Sequence, residues 1–126
     1  MQMPKRLLVT FAAIAGSLAA QNPSITGIVN GASGRPPGVP NYAIAQGSIF
    51  VVYGSNLGAA APAGSIVNSA ALPLPTNGLA GTSITVTVNG TTLPAPIVYT
   101  IPGQVAAIMP SATPTGTGTL TLTYNG

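Results

Sequence analysis

The side chains in this sequence that could do chemistry are few in kind. Asp, Glu, His and Cys are all absent, so apart from the chain's C-terminus no group commonly used as a general base near neutral pH is present. Hydroxyls abound, but a serine or threonine nucleophile needs a base beside it, and the one lysine, Lys5, lies in a segment expected to be removed. Imidazole, thiolate and carboxylate ligands are missing too, and the remaining carbonyls, hydroxyls and amides make a weak calcium site at best. No catalytic residue, metal or cofactor is therefore expected.

What remains is recognition. Arg35 stands in the Pro- and Gly-rich stretch GASGRPPGVPNYAIA (31–45). It could meet an anionic group such as a carboxylate on a glycan or protein partner, or simply be a solvated loop arginine. Tyr42 shares that loop, while Tyr53, Tyr99 and Tyr124 fall on predicted strands. Exposed tyrosines can stack on sugar rings, although strand aromatics more often serve the core. The third candidate is the run Ile49-Phe50-Val51-Val52-Tyr53, apolar or aromatic at every position. If Phe50 and Val52 face the core, then Ile49, Val51 and Tyr53 face the other way. They either meet a covering segment, such as residues 58–81, or form an exposed contact patch. The following Gly54-Ser55-Asn56 reads as a turn, with Gly54 allowing the chain to bend. Two short motifs carry nothing: LPTNG at 74–78 lacks the residue order and the tail of a sortase signal, and Asn89-Gly90-Thr91, formally a glycosylation sequon, is explained by a turn.

The elements that must position these residues fit within 126 residues, which leaves room for one core. The formal charge of +3 comes from Lys5, Arg6 and Arg35. Nucleic-acid binding needs several cations on one face and is not expected. Residues 1–19 have the three-part layout of a secretory signal peptide: Lys5 and Arg6, an apolar run from Leu7, then small residues ending Ser17-Leu18-Ala19-Ala20. Cleavage is placed after Ala19 or Ala20. The apolar run, about 14 residues against the roughly 20 that span a bilayer, is too short for a membrane anchor. No cysteine follows for lipid attachment. A secreted or cell-surface product covering residues 20–126 is expected.

Beyond Ser24 the periodicity is that of strands. Ile84, Val86 and Val88 alternate with Ser83, Thr85 and Thr87, and Leu120, Leu122 and Tyr124 with Thr119, Thr121 and Thr123. Further strands are read at Ile25 to Val29, Ser48 to Tyr53, Ile97 to Ile101 and from Val105 to Met109. Asn89-Gly90 and Pro102-Gly103 supply tight turns, and Pro94 and Pro96 mark an edge or irregular position. Residues 31–45 and 58–81 read as surface loops. Six strands without a convincing helix predict an all-β antiparallel sandwich. Asn125-Gly126 is a hairpin signal after which a strand is wanting. Either the sequence is part of a longer one, or a strand from another molecule completes the sheet.

The order of short motifs resembles the Solibacter-type uncharacterised C-terminal domain family. They are Ile28-Val29-Asn30-Gly31-Ala32-Ser33, Ile44-Ala45-Gln46-Gly47-Ser48, Val52-Tyr53-Gly54-Ser55-Asn56-Leu57, Leu74-Pro75-Thr76, Val86-Thr87-Val88-Asn89-Gly90, Ala95-Pro96-Ile97-Val98-Tyr99, Pro102-Gly103-Gln104 and Pro110. Each is weak alone, and the ordered set spans nearly all of residues 25–126. That family is similar to the IPT/TIG branch of immunoglobulin-like sandwiches and typically ends long secreted bacterial proteins. The resemblance implies an extracellular module without an implied activity. It would touch other domains or extracellular proteins, or self-associate, with a polysaccharide-binding module of a secreted hydrolase as the alternative. The sequence departs from the family in placing the domain directly after the signal peptide and in lacking the usual last strand.

Overall fold

The computed structural model describes residues 22–125, so the expected signal peptide and its cleavage site lie outside the described residues. The strands of the described residues, in chain order, are β1 (Ser24–Asn30), β2 (Ile49–Ser55), β3 (Asn68–Ser69), β4 (Thr82–Val88), β5 (Thr91–Pro94), β6 (Ile97–Ile101), β7 (Gln104–Ile108) and β8 (Gly118–Tyr124). No helix occurs among the described residues. A five-stranded sheet runs β1-β2-β7-β6-β3 and a three-stranded sheet runs β5-β4-β8. Every pairing is antiparallel, as expected of an all-β sandwich.

Alternation explains which side of each strand is buried. In β4, Thr82, Ile84, Val86 and Val88 are buried and the residues between them half-buried. From the larger sheet Phe50, Val52, Ile97, Val105 and Ala107 meet Ile84 and Val86 in one apolar cluster, joined by Leu57 and Ala95. Burying a side chain the size of Phe50, Leu57 or Ile84 contributes about 1.5–3 kcal/mol. Leu120 and Leu122 of β8 and Ile28 of β1 pack against this cluster while staying partly accessible.

The turns follow the sequence. Asn89 and Gly90 both take positive φ, 50° and 78°, and close the β4-β5 hairpin. Pro102-Gly103 closes β6-β7, where Ile101 pairs with Gln104. Three details differ from the reading of the sequence. The Asn89-Gly90 hairpin returns into β5, which ends at Pro94 on a sheet edge, and only then does the chain cross to β6 in the other sheet. Residues 58–81 are not loop throughout, since β3 adds two residues to the far edge of the larger sheet, beside β6. Finally, Gly54 does not bend the chain: β2 continues through Ser55, and the positive φ, 54°, falls at Asn56.

Candidate functional site

The register of the larger sheet shows what shares a face with Ile49, Val51 and Tyr53. Phe50 pairs with Ala107 and Val52 with Val105, all four facing the core. The intervening pairs, Ile49 with Ile108, Val51 with Ala106 and Tyr53 with Gln104, therefore point outward. On β1 Val29 lies opposite Val51, and on β6 Tyr99 lies opposite Ala106 and Ile101 opposite Gln104. The outer face of four adjacent strands is thus apolar or aromatic almost throughout. Its polar members are Gln104, whose Nε2 donates to Tyr99 Oη, and, beyond Tyr53, exposed Ser55, which pairs with Ser24.

This face is open. Ile49 is 46% and Tyr53 41% exposed. Small Ala106, between Val51 and Tyr99 in the register, is nearly shielded. Residues 58–81 leave Ile49 and Tyr53 uncovered. Within them β3 extends the sheet sideways through Asn68 with Thr100 and Ser69 with Tyr99, and Asn68 Nδ2 donates back to Ala59 O at 3.0 Å. The opposite outer surface of the molecule is chemically different. There Ser83, Thr85 and Thr87 of β4 lie across from Thr123, Thr121 and Thr119 of β8, and Thr87 Oγ1 lies 2.8 Å from Thr92 Oγ1.

Arg35 and Tyr42 sit apart from the apolar face, on the loop after β1. Asn30 organises that loop: its Oδ1 accepts from the backbone N–H groups of Ala32 and Ser33, and its Nδ2 donates to Ala43 O at 2.6 Å. Ser33 Oγ donates to Asn41 O and accepts from the Arg35 N–H. Arg35 is exposed and is the only charged side chain among the described residues. Tyr42 is 48% exposed. The loop leaves β1 where Gly31 N donates to Ile49 O, so Tyr42 belongs to the Ile49 end of β2 and Tyr53 to the other end. The two tyrosines do not form one stacking platform. The structure does not bring Arg35 and Tyr42 together with the Ile49-Val51-Tyr53 row; their loop only starts from its Ile49 end.

A cleft of about 410 Å³ opens between Ile44, Gln46, Val88, Met109 and Thr113. Gln46 Nε2 already donates to Thr113 O at 2.5 Å, and the lining offers no charge. Its lining is mostly apolar, with the Gln46 amide and the Thr113 and Thr115 side chains as its polar groups.

The sequence reading missed the share of the face supplied by β1, β6 and β7. The signal was present in QVAAI (104–108) and IVYTI (97–101), where both alternating sets are largely apolar, as in β2. No family model, curated protein or solved structure matches the chain.

Proposed function

We propose that the chain is a non-catalytic structural or interaction module, an immunoglobulin-like sandwich of the IPT/TIG type within an exported extracellular or cell-surface protein, and that it docks through the outer face of its larger sheet. The observation that carries this reading is the open apolar surface formed by Ile49, Val51, Tyr53, Tyr99, Ile101 and Ile108. An uncommitted sheet face would ordinarily carry alternating polar residues, as the other sheet does. A contiguous apolar patch of a few hundred Å² is often a functional surface. The absence of Asp, Glu, His and Cys supports a role without chemistry.

Two measurements test the reading. Expressed with its own N-terminus in an exporting bacterium, the protein should be recovered outside the cytoplasm with a mature start at Ala20 or Gln21; an uncut cytoplasmic chain overturns the export half. An apolar fluorescent dye should bind the folded protein, and Ile49→Lys with Tyr53→Lys should lower that signal several-fold while leaving the circular dichroism spectrum unchanged. Equal dye binding by the variant would remove the face as a docking surface. In polysaccharide pull-downs no retention is expected, and retention abolished by Tyr42→Ala would move the assignment to a carbohydrate-binding module.

A further inference from the structure

The edges of the two sheets are not alike. At the ends of the larger sheet, β1 is interrupted by a bulge between Ile25 and Gly27, and β3 is two residues long. In the smaller sheet β5 has four residues and ends in Pro94. Bulges, short strands and proline all discourage a further strand from pairing. Among the described residues the remaining edge is β8, seven residues in unbroken register with β4, without proline or charge.

The direction of its backbone groups follows from two bonds. Ala95 N donates to Ile84 O, so the N–H and C=O groups of Ile84, Val86 and Val88 turn toward β5 and those of Ser83, Thr85 and Thr87 toward β8. Asn125 N donates to Gly81 O, which gives β8 the same phase: Thr119, Thr121 and Thr123 bond to β4. The groups of Gly118, Leu120, Leu122 and Tyr124 therefore point away from β4, along the free edge. Leu120, Leu122 and Tyr124, though they alternate with the outward threonines, are only half-buried, as inward side chains at an open edge are.

We propose that this edge pairs with β8 of a second copy of the chain, antiparallel about a two-fold axis at Thr121, joining two three-stranded sheets into one. The sequence Gly-Thr-Leu-Thr-Leu-Thr-Tyr is complementary to itself in that register. Thr121 meets Thr121, Thr119 meets Thr123, Leu120 meets Leu122, and Tyr124 lies across Gly118, where the aromatic ring covers backbone that glycine leaves bare. All four outward residues then face outward residues of the second copy, which is what the antiparallel hydrogen-bond pattern requires. A slip by one residue would turn a leucine row to the polar face, and a slip by two would shorten the pairing. Charge does not oppose it, because Arg35 is the only charged side chain among the described residues and lies on the loop after β1. This pairing goes beyond the docking role and uses a different surface, so the two can fail separately.

The chain's lack of cysteine gives a clean test. Opposite residues in a non-hydrogen-bonded antiparallel pair have Cα atoms about 4.5 Å apart, within the range a disulfide spans. Under mild oxidation Thr121→Cys should yield a covalent dimer, Thr119→Cys alone should not, and Thr119→Cys mixed with Thr123→Cys should yield a heterodimer. By sedimentation equilibrium the unmodified protein should shift toward twice the monomer mass as concentration rises. Thr121→Lys, which sets two like charges opposite each other on an exposed position, should weaken that association at least tenfold with the fold retained. A protein that stays monomeric at every concentration, with no dimer from Thr121→Cys, overturns the proposal. So does a monomer whose Leu120 and Leu122 amides resist hydrogen exchange, which would mean that another segment fills the edge. Faster crosslinking through Ile49→Cys than through Thr121→Cys would overturn it as well and place self-association on the apolar face.

Discussion

Thr82 and Thr100 are both fully buried, yet their hydroxyls meet different surroundings. Thr82 Oγ1 donates to Leu57 O at 2.8 Å and ties the chain leaving β2 to the start of β4. Thr100 Oγ1 is buried without a hydrogen-bond partner among the described residues. A buried hydroxyl that bonds contributes about 0.5–1.5 kcal/mol, and a buried carbonyl left unpaired costs about 1–3 kcal/mol. Thr82→Val should therefore lower stability by about 1–3 kcal/mol. Thr100→Val should be neutral or stabilising by up to about 1 kcal/mol, because it removes a desolvated group that gains nothing. Urea denaturation of both variants checks the contrast, and equal losses would contradict it. Gly54 makes a similar point about backbone. A Cβ there would lie 1.9 Å from Ser24 O, while Gly54 N is bonded to Gly103 O on the other side. Gly54→Ala should cost about 1–3 kcal/mol or more by forcing β1 and β2 apart. The loss should appear in the same denaturation series.

At the scale of the element, what sequence could reveal depended on length and alternation. β4, β6 and β8 are visible because Ile84-Thr85-Val86-Thr87-Val88, Ile97 to Ile101 and Leu120-Thr121-Leu122 carry strand patterns long enough to recognise. β3 and β5 are not, because Asn68-Ser69 has neither apolar alternation nor strand propensity, and Thr91–Pro94 ends in a residue that argues against a strand. β3 exists because distant Thr100 and Tyr99 offer it hydrogen bonds, and β5 because the Asn89-Gly90 turn folds it back on Val86 to Val88. The same limit applied to the candidate surface. Ile49, Val51 and Tyr53 were legible as one row, but their neighbours Ala106, Ile108 and Tyr99 come from strands whose order no local pattern encodes. Turn chemistry, by contrast, is local and was readable. Asn89 holds φ at 50° and also donates through Nδ2 to Thr115 O at 3.2 Å. Asn89→Ala should cost about 1–2 kcal/mol from the left-handed backbone alone, with further loss from the broken tie to the loop before β8. Thermal melting of the variant beside an Asn89→Gly control separates the two contributions, since glycine relieves the backbone and not the hydrogen bond.

The whole molecule sets an apolar face against a hydroxyl-bearing one, with a single charged side chain among the described residues. The size of the apolar face bears on the proposed docking. Four strands about 4.8 Å apart, each contributing about five residues at about 3.3 Å, present on the order of 300 Å². A standard interface between free proteins takes about 800 Å² from each partner. For the docking proposed above, a face this small holds a flat partner well only when a covalent tether keeps that partner close. The lack of charge has a second consequence, in the dependence of stability on pH. The slope of unfolding free energy with pH equals 2.303RT times the difference in protons bound by the unfolded and folded chains. Carboxylate and imidazole side chains ordinarily produce that difference in acid, and this sequence has neither. Between about pH 4.5 and 7, above the usual α-carboxyl range and below the usual α-amino range, the two states bind equal numbers of protons and the slope is zero. The urea midpoint should stay constant across that window, and sodium chloride should not shift it by screening, since no ion pair can form within residues 22–125. A midpoint that falls as pH is lowered through 5 would contradict this, because no side chain of the sequence takes up a proton there.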